Sequence, residues 1–81
     1  MSNGNGESHL TRIQVLEIRP GWTIFQPEDT ASAASPHLPG ALNHAVVEWV
    51  RDRPGLDVQA SLGIVSEGRT VAVQLWYAAQ A

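Results

Sequence analysis

The residues whose spacing could support chemistry are His44, Glu48 and Asp52, which recur every four positions. On a helix they would line up one turn apart and offer an imidazole and two carboxylates to a common cation. A bound metal needs three or four ligands, and the other two histidines, His9 and His37, fall in a polar tail and in a loop-like stretch. With no cysteine in the chain, thiolate zinc sites and disulfides are excluded together. The expectation is therefore no metal and no cofactor, with the His44 line reading as the solvated face of a helix.

Nucleophilic catalysis needs a hydroxyl or thiol held beside a base that is itself oriented. The serines lie in the tail, in the stretch 27–38, at an outward strand position (Ser61) and in a turn (Ser66), and none sits in a nucleophile-elbow context. No glycine-rich phosphate loop occurs, and with five arginines and no lysine there is neither a Schiff-base lysine nor a phosphate-loop lysine. The acidic pair Glu28-Asp29 reads as a solubilising turn or as the cap of a short helix over 30–34. No catalytic residue is expected, and the chain reads as a non-enzyme.

The charge balance points the same way. A net charge of −3, with the arginines scattered, gives no basic face for phosphate, so nucleic acid is not an expected partner. No apolar run approaches the ~20 residues of a membrane span, and residues 1–9 carry neither a basic nor an apolar leader pattern, so a cytoplasmic protein without membrane contact is expected. The 81 residues, 43% of them hydrophobic, fit one domain over 10–81 behind a disordered tail over 1–9. That size is near the limit at which one core suffices without help from a metal, a disulfide or another subunit.

The elements that must position these residues follow from periodicity. Val58, Ala60, Leu62 and Ile64 alternate with polar or small residues, as do Val71, Val73, Leu75 and Tyr77, and Ser66-Glu67-Gly68-Arg69 fits a two-residue hairpin turn. Pairing Ser66 with Arg69 then sets Ile64 against Val71, Leu62 against Val73, Ala60 against Leu75 and Val58 against Tyr77. On the opposite face the same register pairs Gly63 with Ala72, Ser61 with Gln74 and Gln59 with Trp76.

Between about Pro39 and Arg53, Leu42, Ala45, Val46, Trp49 and Val50 form one apolar stripe, which predicts a helix stopped by Pro54-Gly55. The predicted core is Leu42, Val46, Trp49, Val58, Leu62, Ile64, Val71, Val73 and Leu75. Further upstream, Ile13 and Val15 share one parity and Leu16 and Ile18 the other, so that strand has a bulge or two apolar faces. Arg19-Pro20-Gly21-Trp22 fits a type II turn, after which Trp22 to Gln26 continues as a short strand or an extension. Residues 27–38 read as a long polar loop. The fold class is α+β: an antiparallel sheet of three or four strands with one helix on one face, in the order β(β)αββ.

One helix covers one side of such a sheet, which leaves Trp76, Gln74, Ala72, Gly63, Ser61 and Gln59 on the uncovered side. Trp76 there is buried against the N-terminal strand of its own chain, buried in an interface, or free to stack on a planar ligand. Three functions follow as expectations. The first is a small interaction module, docking on a larger protein or forming a homo-oligomer, with a dimer foremost. The second is a binder of a planar aromatic small molecule at a subunit junction; the element order is loosely similar in topology to the dodecin flavin-storage proteins, though no motif carries that likeness. The third is a small acidic inhibitor or adaptor of another protein, as many phage-encoded proteins are.

Overall fold

Two glycines with left-handed backbone set the two hairpins. Gly21, at φ 96°, follows Pro20 as a type II turn requires, and a Cβ there would stand 3.1 Å from the Tyr77 carbonyl oxygen. Glu67 and Gly68, at φ 53° and 81°, form the two-residue loop of the second hairpin, where both central residues need positive φ. The computed structural model describes residues 11–78, so the expected tail over 1–9 lies outside the described residues. Around these turns run β1 (Ile13–Arg19), β2 (Trp22–Pro27), α1 (Thr30–Ala34), α2 (Leu38–Arg51), β3 (Asp57–Ser66) and β4 (Arg69–Ala78).

The class is α+β, with a four-stranded antiparallel sheet ordered β1-β2-β4-β3. Trp22–Pro27 is a strand in its own right, paired with β1 on one side and with β4 on the other. The backbone N–H of Tyr77 donates to the Gly21 carbonyl at 3.0 Å and ties the first turn to β4. In β1 the apolar residues do lie on both faces: Val15 pairs with Phe25 and Leu16 with Ile24, and the bulge falls later, between Glu17 and Arg19.

The stretch 27–38, expected as a loop, contains α1. Asp29 is its N-cap, and its carboxylate accepts the Ser32 N–H at 2.7 Å. The stretch is pinned from both sides. The Arg12 N–H donates to Ser32 Oγ at 2.8 Å, the Glu28 N–H donates to the Arg12 carbonyl at 2.9 Å, and the Arg69 guanidinium donates to the carbonyls of Ala33 and Ser35. The element order is thus ββααββ. Helix α2 starts at Leu38 with Pro39 in its first turn and ends at Arg51, two residues short of the expected limit.

Helix α2 lies across β2 and β4, and Phe25, Leu38, Leu42, Trp49 and Leu75 close the core. Trp49 meets Phe25 edge-to-face at 5.9 Å and Tyr77 at 5.1 Å between ring centroids. Val46, Val71 and Val73 pack against this cluster half-buried.

The expected core positions on β3 are overturned: Val58, Leu62 and Ile64 are 42%, 54% and 37% exposed. Two physical causes combine. A helix is ~10–12 Å across and covers about two strands at ~4.8 Å spacing, so β3 at the sheet edge lies beyond its reach. The hairpin register also slips by one in its middle, because Val71 is an extra residue on β4 and Gln59 an extra residue on β3. The expected pairs Ser66–Arg69 and Val58–Tyr77 stand at the ends. Between the bulges Leu62 faces Gln74, Ile64 faces Ala72 and Ala60 faces Trp76, instead of Val73, Val71 and Leu75.

Candidate functional site

Residues directly opposite in antiparallel strands share a face, so the pairings sort the sheet into rows. Glu17, Thr23, Leu75 and Ser61 form one row under the helix, and Val15, Phe25, Val73 and Gly63 form the next. The opposite face starts from the row Leu16, Ile24, Gln74, Leu62, which crosses all four strands. Beside it run Trp22, Trp76 and Ala60 on one flank, and the pairs Gln14–Gln26 and Ala72–Ile64 on the other. None of these residues carries a charge, Arg19 opposite Trp22 and Asp57 opposite Ala78 bring charge only to the ends of the face, and no helix among the described residues covers it.

This arrangement revises the expected surface. Trp76, Gln74 and Ala72 lie on the open face as anticipated. Ser61 and Gly63 belong to the helix side, where they border a shallow cleft with Pro39, Asn43 and Val46, and Gln59 is the extra residue of the β3 bulge. In their place Leu62 and Ile64, expected in the core, join the open face together with Leu16, Trp22 and Ile24. Parity between Trp22, Ile24 and the buried Thr23, Phe25 was the available signal for the β2 residues. Leu62 and Ile64 could not be found that way, because a pair of compensating bulges leaves no mark on alternation.

The two tryptophans are cross-strand neighbours with nearly parallel rings, 6.2 Å between centroids and 5° between planes. Trp22 Nε1 donates to Gln74 Oε1 at 3.2 Å, and Gln26 Nε2 donates to Gln14 Oε1 at 3.1 Å. The polar groups of the face thus hydrogen-bond one another, which lowers the cost of drying it. Arg19, opposite Trp22 after the bulge, places its guanidinium 6.0 Å from the Trp22 ring at the rim.

Glu48 Oε2 accepts from Arg51 at 2.9 Å, Asp52 is the C-terminal cap residue of α2, and no cluster of three or more metal-ligating side chains occurs among the described residues. His37 and His44 border an open groove of ≈ 790 Å³ between α2 and the start of β1, together with Thr11, Ile13 and Gly40. The Asp29 carboxyl is held below its ordinary value of 3.8, first by the Ser32 N–H and then by the Ser32 hydroxyl, with Arg12 contributing. That shift is the mark of a helix cap and not of an acid–base group.

No helix among the described residues is long and apolar enough to cross a membrane. The chain matches no protein-family model, no curated protein and no solved structure.

Proposed function

We propose that this protein is a non-catalytic interaction module that self-associates, with two copies meeting through the open faces of their sheets. The supporting observation is the uncovered row Leu16, Ile24, Leu62 beside the Trp22–Trp76 pair, on a face whose centre carries no charged side chain and whose charges, Arg19 and Asp57, lie at its ends. Tryptophan and aliphatic residues around internally satisfied amides are the composition of an interface centre, with arginine at the rim.

A second copy fits this surface better than a larger protein does. A face whose centre is uncharged offers little charge pattern for a different partner to complement, whereas an isologous contact needs only that the same patch fit itself. Four strands averaging about eight residues span roughly 500 Å² of sheet, below the ~800 Å² per partner of a standard interface, so the contact belongs to the weaker, concentration-dependent class. The reading of a planar aromatic ligand keeps less support, since Trp22 already flanks the Trp76 ring.

The test places a charge at the centre of the face. Ile24→Lys sets two lysines near each other across a two-fold contact, and a half-buried position at a solvent face tolerates the long stem. Sedimentation at one matched concentration should show wild type above 8.7 kDa and a lower weight-average mass for the variant, with its melting temperature within a few degrees of wild type. Equal masses for the two proteins would contradict the reading. Tryptophan quenching by a flavin or a nucleotide at micromolar concentration would favour the ligand instead.

A further inference from the structure

The two edges of the sheet are built differently. Edge strands expose unpaired N–H and C=O groups, and proteins blunt them with charges, proline, bulges or cover. Strand β1 carries Glu17 and Arg19 with a bulge between them, and the backbone just before it is occupied by Ser32 and Glu28. Strand β3 has ten residues, all exposed, and no charge or proline from Val58 to Ser66. Its own extra residue is Gln59; the second irregularity of the pair, opposite Ile64 and Val65, lies on β4 at Val71, so Ala60 to Ser66 has no extra residue and forms an edge of seven residues that no other described strand pairs.

We infer that this edge is a second self-association site, at which β3 pairs antiparallel with β3 of another copy about a two-fold axis through Gly63. Two observations fix that occupant and that register. The regular stretch Ala60 to Ser66 has Gly63 at its midpoint, so only this centre uses all seven residues. It sets Leu62 opposite Ile64 of the second copy, apolar on apolar in both halves of the contact, and continues the open face across the junction.

A two-fold axis normal to the sheet keeps like faces together, so the product is an eight-stranded sheet with both helix layers on one side. The edge contact therefore leaves the open face available, and the two surfaces are independent.

Because the chain has no cysteine, single-cysteine variants report the register directly. Gly63 lies at an ordinary φ, and a Cβ there meets only Thr70 side-chain atoms at 3.5 and 3.8 Å, so Gly63→Cys should fold as wild type does. Residues facing across an antiparallel pair have Cα atoms ~4.5–5.5 Å apart, inside the ~4.4–6.8 Å range of disulfides. In the same register two copies of residue 61 lie about four residues apart along the strands, roughly 13 Å, which is too far. Under mild oxidation at a concentration where wild type is associated, Gly63→Cys should cross-link to a dimer at least tenfold faster than Ser61→Cys. Addition of Ile24→Lys should leave that cross-link intact. Equal or reversed rates, or no cross-linking from an associated protein, would overturn the edge contact while leaving the face contact standing. Loss of the cross-link in the Ile24→Lys background would show that the edge is no independent site.

Discussion

Trp49 carries the largest share of the core. It is 8% exposed, meets Phe25 and Tyr77 by ring contacts, and supports the Arg53 guanidinium 3.9 Å from its centroid. Its replacement by alanine should lower unfolding free energy by about 3–5 kcal/mol, read by urea denaturation, because the cavity opens between α2 and both central strands. The Arg53–Glu17 pair beside it, at 3.6 Å and well exposed, adds little. Asp29 makes the pH-sensitive contribution. Its folded pKa is depressed, so the cap is at full strength above the unfolded value near 3.8 and weakens as pH falls through and below it. Asp29→Asn, which still caps but does not titrate, should flatten the acid limb of the melting-temperature profile, whereas Asp29→Ala should lower the melting temperature at neutral pH as well.

Among the elements, turns and the long helix were legible in the sequence and the middle of the second hairpin was not. Pro20-Gly21 and Glu67-Gly68 announce their turns because few residues accept positive φ. The stripe Leu42, Val46, Trp49 announces α2 because its period is local. The α1 cap was readable as one of two meanings of Glu28-Asp29, and Arg69, which holds the end of α1 from β4, gave no local sign. The bulges at Gln59 and Val71 answer to a tertiary fact: α2 is too narrow to cover β3, so Leu62 and Ile64 gain more beside Trp76 and Ala72 than above an empty edge. The same dependence on close approach governs Gly21. Gly21→Ala meets both a positive φ and the Tyr77 carbonyl at 3.1 Å, and should cost about 1–3 kcal/mol in chemical denaturation. Gly40→Ala, inside α2 with open space around it, should be neutral or stabilise by up to about 1 kcal/mol.

At the scale of the whole molecule, the described residues build four strands and one long helix, and the consequences follow from that imbalance. The helix side holds the buried cluster, the other side holds two tryptophans and four large aliphatic residues, Leu16, Ile24, Leu62 and Ile64, without a described cover, and β3 ends the sheet without a guard. On the proposed reading a second copy covers the open face, and its burial removes apolar surface from water at roughly 25 cal/mol per Å². Self-association is the claim on which this reading stands, and sedimentation of the wild-type chain over a range of micromolar concentrations at neutral pH tests it most directly. The weight-average mass should rise with concentration from 8.7 kDa towards at least twice that value. A mass fixed at 8.7 kDa up to several hundred micromolar would contradict it.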